Sequence, residues 1–339
     1  MAIVDNAVYV DGVRVAVPST LEETFKCLRE HPHGMAWIGL YRPTHEEIAA
    51  VQTEFGLHHL AVEDTVKAHQ RPKLERYDNQ LFVVLRPARY LDDIEEVEFG
   101  EVHLFIGKDV VVTVRHAEAP NLARVRARLE HRPELLRLGP EAVLYAVMDE
   151  VVDDYAPVAA GLENDIDEIE DQVFNGDPHV SRRIYELSRE VIDFQRASTP
   201  LLAMLDGLAD GFAKYEVDVD LQHYLRDVRD HALRVVERVD TFRASLQDIL
   251  TVNATLVTQR QNDDTQRLSE ASIKQNEEVK KISGWAAILF APSLVGTVYG
   301  MNFRFMPELK WRLGYPFALV LMASLSGSLY VIFRRRGWL

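Results

Sequence analysis

The sequence predicts a mixed α/β domain, then a helical bundle, a long stalk helix and a C-terminal hairpin of two membrane-spanning helices. Three observations predict it. Over residues 1–119, short runs of β-branched and aromatic residues alternate with capped helical patterns; from residue 120 the pattern is helical with one strong break; and residues 282–301 and 316–333 carry no charged side chain.

Taken in order, AVYV, VRVAV, AWIGL, QLFVVLRPARY, EVHLFI and VVVTV read as strands, punctuated by DG, GK and Pro. Between them, STLEETFKCL and THEEIAAVQTEF each open on Ser or Thr with Glu three residues later, the spacing that lets side chain and backbone cap each other. Helical patterns then run from Pro120 to about Phe174, from Val180 to Ala213 and from Leu221 onward, with NGDP at 175–178 as the clearest break. From Leu221 to Met301 the only strong breaker is Pro292, which predicts a stalk running straight into an apolar segment.

Ile282 to Met301 supplies 20 uncharged residues, about 30 Å of helix and the thickness of a hydrocarbon core. Pro316 to Phe333 supplies 18 more after a short loop, so the two are expected to form an antiparallel hairpin. Lys280 and Lys281 precede the first span and Arg334, Arg335 and Arg336 follow the second, which puts both outer ends in the cytoplasm, although Arg304, Lys310 and Arg312 in the loop blunt that asymmetry. Trp285, Tyr299, Trp311, Tyr315 and Trp338 fall near the expected interfaces. The resulting organisation is a cytoplasmic α/β domain over 1–119, a cytoplasmic helical region over 120–236, and a long helix over 237–301 whose span begins near 282. An outer loop over 302–315, a second span over 316–333 and a basic tail over 334–339 follow.

Composition narrows the function classes. The net charge of −15 lies mostly upstream of residue 280, and no Lys or Arg occurs between Arg137 and Arg182; such a surface disfavours nucleic acid and suits cations. The single cysteine, Cys27, excludes an intramolecular disulfide framework and fits a reducing compartment. The first residues, MAIVDNAVYVDGVRV, alternate like a strand rather than like a secretory signal, so the N-terminus is expected in the cytoplasm. Gly107-Lys108 lacks the flanking residues of a phosphate loop, and no nucleophile constellation is visible, so neither nucleotide binding nor catalysis is expected. His31, His33, His58 and His59 come in pairs, but such pairs at helix ends are usually solvated rather than zinc-bound, and His69 reads as part of a structural turn.

Read in steps of three and four, one face of the first span carries Asn276, Val279, Ser283, Ala286, Phe290, Ser293, Thr297 and Gly300. Small and hydroxyl-bearing residues suit close helix packing in lipid, and they equally suit the wall of a pore. A pore needs several copies around an axis, because one hairpin cannot enclose water. Asn302 would then place a ring of neutral carboxamide oxygens at the outer mouth, able to hold a hydrated ion without stripping it, with Gly300 letting the backbones approach and Glu308 supplying a charged ring in the outer loop.

YGMNF followed by MPEL, then WRLGYPF and a C-terminal FRRRGWL, resembles the CorA family of magnesium channels across the whole hairpin. WIGL at 37–40, VEDTVKAHQRPKLE at 62–75, VVDDY at 151–155 and RDVRDH at 226–231 extend the resemblance over most of the chain. It implies a homopentamer with a cytoplasmic funnel, a long pore helix and the second membrane helix outside it, carrying Mg²⁺ and, in the same family, Co²⁺ or Ni²⁺. By the same resemblance Gly300, Met301 and Asn302 form the selectivity filter, Ser293 and Thr297 polar rings, Phe290 and Ile282 hydrophobic constrictions, and Asn276 lies near the inner mouth. Regulatory Mg²⁺ between subunits is expected at Asp64 with Asp227, and more weakly at Glu63, Asp149 and His231; carboxylates facing each other repel, and a divalent cation removes the repulsion. The stretch around DDTQRLSEASIKQN looks longer than in the family. That extra length leaves the family's acidic inner ring without a fixed place: Thr265 falls at the expected distance from Asn276, and Asp263 or Asp264 just before it serves if the helix register shifts. Two other functions are weighed against this one: a ZntB-like zinc transporter, against which Met301 argues, and a non-conducting membrane-anchored scaffold or sensor.

Overall fold

The computed structural model describes residues 3–302 and 306–339. It divides into two compact units, residues 1–253 and 254–339.

The first unit opens with strands β1 (Ile3–Val10) and β2 (Val13–Ala16), helix α1 (Leu21–Glu30), β3 (Gly34–Tyr41), α2 (His45–Phe55) and α3 (His59–Lys67). Strands β4 (Lys73–Tyr77), β5 (Gln80–Leu85), β6 (Ala88–Leu91), β7 (Glu96–Phe99), β8 (Val102–Ile106) and β9 (Val110–Arg115) follow. Seven of these form one sheet in the order β2-β1-β3-β9-β8-β5-β4, while β6 and β7 pair as a separate hairpin. Among the described residues only β3 and β9 run parallel. The others are antiparallel neighbours that short turns can join. The central strands are buried on both faces, which is why AWIGL and VVVTV are apolar runs rather than alternating ones.

Helices α1 to α3 cover one face of the sheet, with Ile38, Ile48, Val51, Phe82, Phe105 and Val112 at the centre of that core. Both expected caps form. The Thr44 side chain accepts from Glu47 N while Glu47 reaches back to Thr44 N; Thr20 accepts from Glu23 N, but the Glu23 carboxylate turns to Ser19 instead.

Helices α4 (Leu122–Glu130), α5 (Pro133–Leu136), α6 (Pro140–Asn175) and α7 (Val180–Gly211) form the helical part. The NGDP break ends α6, where Gly176 adopts φ +77° and its N–H bonds the carbonyl of Gln172. Tyr90 on β6 donates to both carboxylate oxygens of Asp165 on α6 at 2.9 Å, fastening the small hairpin to the helices.

Helix α8 (Val219–Tyr299) is continuous through Pro292 and through position 237, where the stalk was expected to start. After the 3-10 turn Pro307–Lys310, α9 (Gly314–Arg335) is the last helix. The end of α8 and all of α9 are long and apolar enough to cross a membrane. The fold class expected from the sequence, an α/β domain, helical bundle, long helix and C-terminal apolar helix pair, is the one observed.

Candidate functional site

Residues 284–295 of α8 bury one face, Gly284, Ile288, Ala291 and Val295, spaced by four, three and four. The C-terminal segment meets that face. Indole and phenol rings of Trp285 and Tyr330 lie 6.3 Å apart, and a Cβ on Gly284 would sit 3.7 Å from Phe333 while one on Gly296 would sit 3.7 Å from Met322. Pro292 has no N–H to give the carbonyl of Ile288 four residues back. Ser326 Oγ on α9 donates to that carbonyl at 3.3 Å, so a defect in one helix becomes a hydrogen bond between two.

The face carrying Ser283, Ala286, Phe290, Ser293 and Thr297 is two residues, roughly 200°, round the helix from the covered one. Every one of these residues is exposed in the single chain. Ser293 Oγ donates to the Phe290 carbonyl at 2.7 Å and Thr297 Oγ1 to the Ser293 carbonyl at 2.8 Å. Their protons are thus used within the helix, leaving oxygen lone pairs on its outer side, a surface suited to a cation or its water. Phe290 and Ile282, the two expected constrictions, are each 69% exposed, and Asn276 is exposed as well.

Gly300 still donates to the Gly296 carbonyl at 2.9 Å and does not have positive φ, so a left-handed turn is not what requires glycine here. A Cβ there would stand 3.3 Å from the Gly296 carbonyl oxygen, one turn back on the same helix. Met301 and Asn302 follow, both exposed. Glu308 falls in the 3-10 turn, and its side chain lies outside the described residues.

The expected regulatory acids form two groups within the first unit. On α3, Glu63 pairs with Lys67. Asp64 accepts from Lys73 Nζ at 2.6 Å, and the same ammonium lies 2.8 Å from Glu75. Burial opposes the charge on Lys73, but its bonds to Asp64 and Glu75 prevail and raise its pKa. On α6 and α8, His231 lies 3.6 Å from Asp153 and 3.8 Å from Asp227. Asp149, one turn before Asp153, is 3.0 Å from Arg128. Burial and then Asp153 push the Asp149 carboxyl above the usual carboxylate range, with Arg128 and His231 pulling it back.

Sequence reasoning singled out Asp149, Asp227 and His231 but missed Asp153; the spacing of four between the two aspartates in MDEVVDD was the available signal. Among the described residues of one chain, no three His, Cys, Asp or Glu side chains converge to hold a metal. One member of each histidine pair is otherwise engaged: the His58 ring stacks on Tyr77 at 4.0 Å and His31 bonds the Cys27 carbonyl at 2.9 Å. Thr265 is exposed on α8 and donates to the Gln261 carbonyl at 2.7 Å; Asp263 and Asp264 are exposed just before it.

Comparison with known proteins places this architecture. The family model described as "CorA-like Mg2+ transporter protein" matches residues 32–335. The chain is 29% identical over 308 residues to the cobalt/magnesium transport protein CorA of Thermotoga maritima, covering 89% of this chain and 83% of that protein. The complete structure of the CorA magnesium transporter from Methanocaldococcus jannaschii shares the fold with a TM-score of 0.57 at 19% identity over 100% of both chains. The cytoplasmic domain of ZntB from Vibrio parahaemolyticus shares it with a TM-score of 0.52 at 13% identity, over 65% of this chain and 88% of that one. With the family model spanning nearly the whole sequence, the chain belongs to the CorA-like Mg²⁺ transporter family.

Proposed function

We propose that the chain is one subunit of a homopentameric divalent-cation channel in the cell's inner membrane, with both termini cytoplasmic, that carries Mg²⁺ inward. The observation that carries this reading is the pair of opposite faces on α8: one is covered by α9 and the C-terminus, and the other, small and hydroxyl-bearing, is left without a partner and leads to Gly300-Met301-Asn302. Copies arranged about an axis with α9 outside turn the free face into a water-filled wall. Five copies follow from the family resemblance, and the membrane location from the two apolar helices.

Mg²⁺ releases its water shell reluctantly, so the first selective contact is made through that shell. A ring of Asn302 carboxamides accepts its hydrogen bonds and adds no charge that would trap the ion. The hydroxyl oxygens of Thr297 and Ser293 continue the polar path, and the Phe290 and Ile282 rings narrow it. Drive comes from the membrane potential, about 2.3 kcal/mol per charge per 100 mV and twice that for a divalent ion.

Internal Mg²⁺ closes the channel by bridging Asp64 of one subunit and Asp227 of the next, with Glu63, Asp149 and His231 as a second, weaker site. Asp153 joins the second site by its distance to His231. Lys73 already neutralises Asp64, so the ion has to share or displace that ammonium. Co²⁺ and Ni²⁺ are further candidates for transport. A zinc transporter is the second reading, because the ZntB soluble domain has the same fold; Met301 favours magnesium.

The test is Mg²⁺ entry into dye-loaded proteoliposomes under an inside-negative potential, with internal Mg²⁺ kept low. Flux in the wild type that falls at least about tenfold in Asn302→Ala supports the proposal. Flux of Zn²⁺ but not Mg²⁺ transfers the reading to zinc, and no flux of either from an assembled protein leaves the scaffold.

A further inference from the structure

Within the first unit lies a pocket of about 310 Å³, formed by the β4–β5 hairpin, the β8–β9 turn, the first turns of α6 and the end of α7. Its walls are apolar: Leu74, Leu81, Leu144, Leu208 and Phe212. Three donors stand on its rim, Arg76, Asn79 and Lys108. Among the described residues none of the three has a side-chain hydrogen bond or ion pair with a protein acceptor. The Arg76 guanidinium lies 3.8 Å over the Tyr215 ring, which occupies its face and leaves its N–H edge unused. One acid reaches the pocket, Glu141. Surrounding atoms push its carboxyl above the ordinary range while Arg76 pulls it down.

The end of α7 keeps the pocket open. Gly207 lies inside α7, where glycine is disfavoured unless space is needed, and Gly211, four residues on and on the same face, is the last residue of the helix. A Cβ on Gly211 would be 3.2 Å from the Tyr215 ring, so this glycine lets the ring sit under Arg76, whereas a Cβ on Gly207 would meet nothing within 4 Å.

We propose that this pocket binds a small organic carboxylate, with an apolar body on the order of a dozen non-hydrogen atoms in the cavity and its anionic head on Arg76, Lys108 and Asn79. Apolar walls with a few convergent polar groups are how small-molecule sites are built, and two unpaired cations against one acid set the charge of the guest. Phe212, Tyr215 and Val217 belong to the connector 212–218 that leads into α8. A bound carboxylate therefore ties that connector to the sheet edge and stiffens the start of the long helix. This holds whichever ion the membrane helices carry.

The test is equilibrium dialysis of 2-naphthoate against the full-length protein in nanodiscs. One saturable site per chain is expected, with a Kd on the order of 100 μM for a ligand of this size. Gly207→Leu fills the open space and is expected to weaken binding about tenfold with the unfolding temperature unchanged. Lys108→Glu, on an exposed turn, serves if the first variant does not fold and is expected to weaken it about fivefold. The uncharged 2-naphthalenemethanol is expected to bind about fivefold more weakly than the acid. Competition with octanoate and with 3-phenylpropionate then tells an aliphatic from an aromatic source. Equal binding by the wild type and Lys108→Glu, equal binding of the neutral analogue, or displacement by neither competitor overturns the proposal.

Discussion

The two units of this chain handle apolar surface in opposite ways. In residues 1–253, the large side chains Trp37, Tyr155, Phe82 and Phe194 are completely or almost completely buried, each against its own chain. In residues 254–339, Ile282, Leu289, Phe290 and Val320 stay mostly exposed, and only Gly284, Ile288, Ala291, Val295 and Gly314 reach burial among the described residues. Burial of apolar area drives folding in water, so the first unit builds its core from a single chain. The second has apolar helices whose remaining surface needs lipid or other copies of the chain. Polar groups follow the same division. In the first unit Trp37 gives its indole N–H to Thr113, whereas in the second the outward lone pairs of Ser293 and Thr297 receive no protein donor among the described residues.

The largest expected effect breaks the comparison at its strongest point. Trp37→Ala removes a side chain with no exposed surface that also carries Arg126 at 4.2 Å over its ring, and should cost about 3–5 kcal/mol in denaturant unfolding. Phe290→Ala should leave unfolding unchanged and instead raise basal ion flux severalfold; a stability loss as large as that of Trp37→Ala would mean that Phe290 belongs to a packed core. Next in size is regulation. Combining Asp64→Lys with Asp227→Lys should raise the internal Mg²⁺ needed for half-inhibition by about tenfold or more, and inhibition at the wild-type concentration would remove these residues from gating.

Smaller is a pH effect confined to the first unit. Burial pushes the Glu190 carboxyl up to about 7, and its oxygen accepts from Val97 N at 3.1 Å. Because the folded-state pKa is raised, this group adds stability as pH falls through about 7, with the gain complete below the ordinary carboxylate range. Glu190→Gln should flatten the stability profile between pH 8 and 5 by on the order of 1 kcal/mol after solvent screening. Smallest of all, Ser326→Ala removes the hydroxyl that replaces the missing bond at Pro292 and should lower the thermal midpoint in nanodiscs by the equivalent of about 0.6 kcal/mol.

Legibility in the sequence followed the same physics. Strands buried on both faces, such as Gly34–Tyr41 and Val110–Arg115, announced themselves as β-branched runs. KLERY did not, because β4 is an edge strand and edges carry charge to resist pairing. QLFVVLRPARY read as one run, yet Pro87 divides it into β5 and β6, which belong to different sheets. Helix α3 escaped notice because His58 caps it without a side-chain hydrogen bond. In the candidate site, the stripe on α8 was legible from spacing alone, since exposure there depends on one helix. The Lys73 bond to Asp64 was not, because it joins α3 to β4 through a side-chain contact that no periodicity encodes.

The measurement that bears most directly on the central claim is cysteine accessibility around α8. In a Cys27→Ser background, single cysteines at Ser293, Thr297, Ile288 and Val295 would be treated with a charged, water-soluble thiol reagent while Mg²⁺ entry into proteoliposomes is followed. Loss of flux after modification at 293 and 297, with 288 and 295 unaffected, is the result predicted by a water-filled free face and an α9-covered opposite face. Block at 288 and 295 with none at 293 and 297 would contradict it.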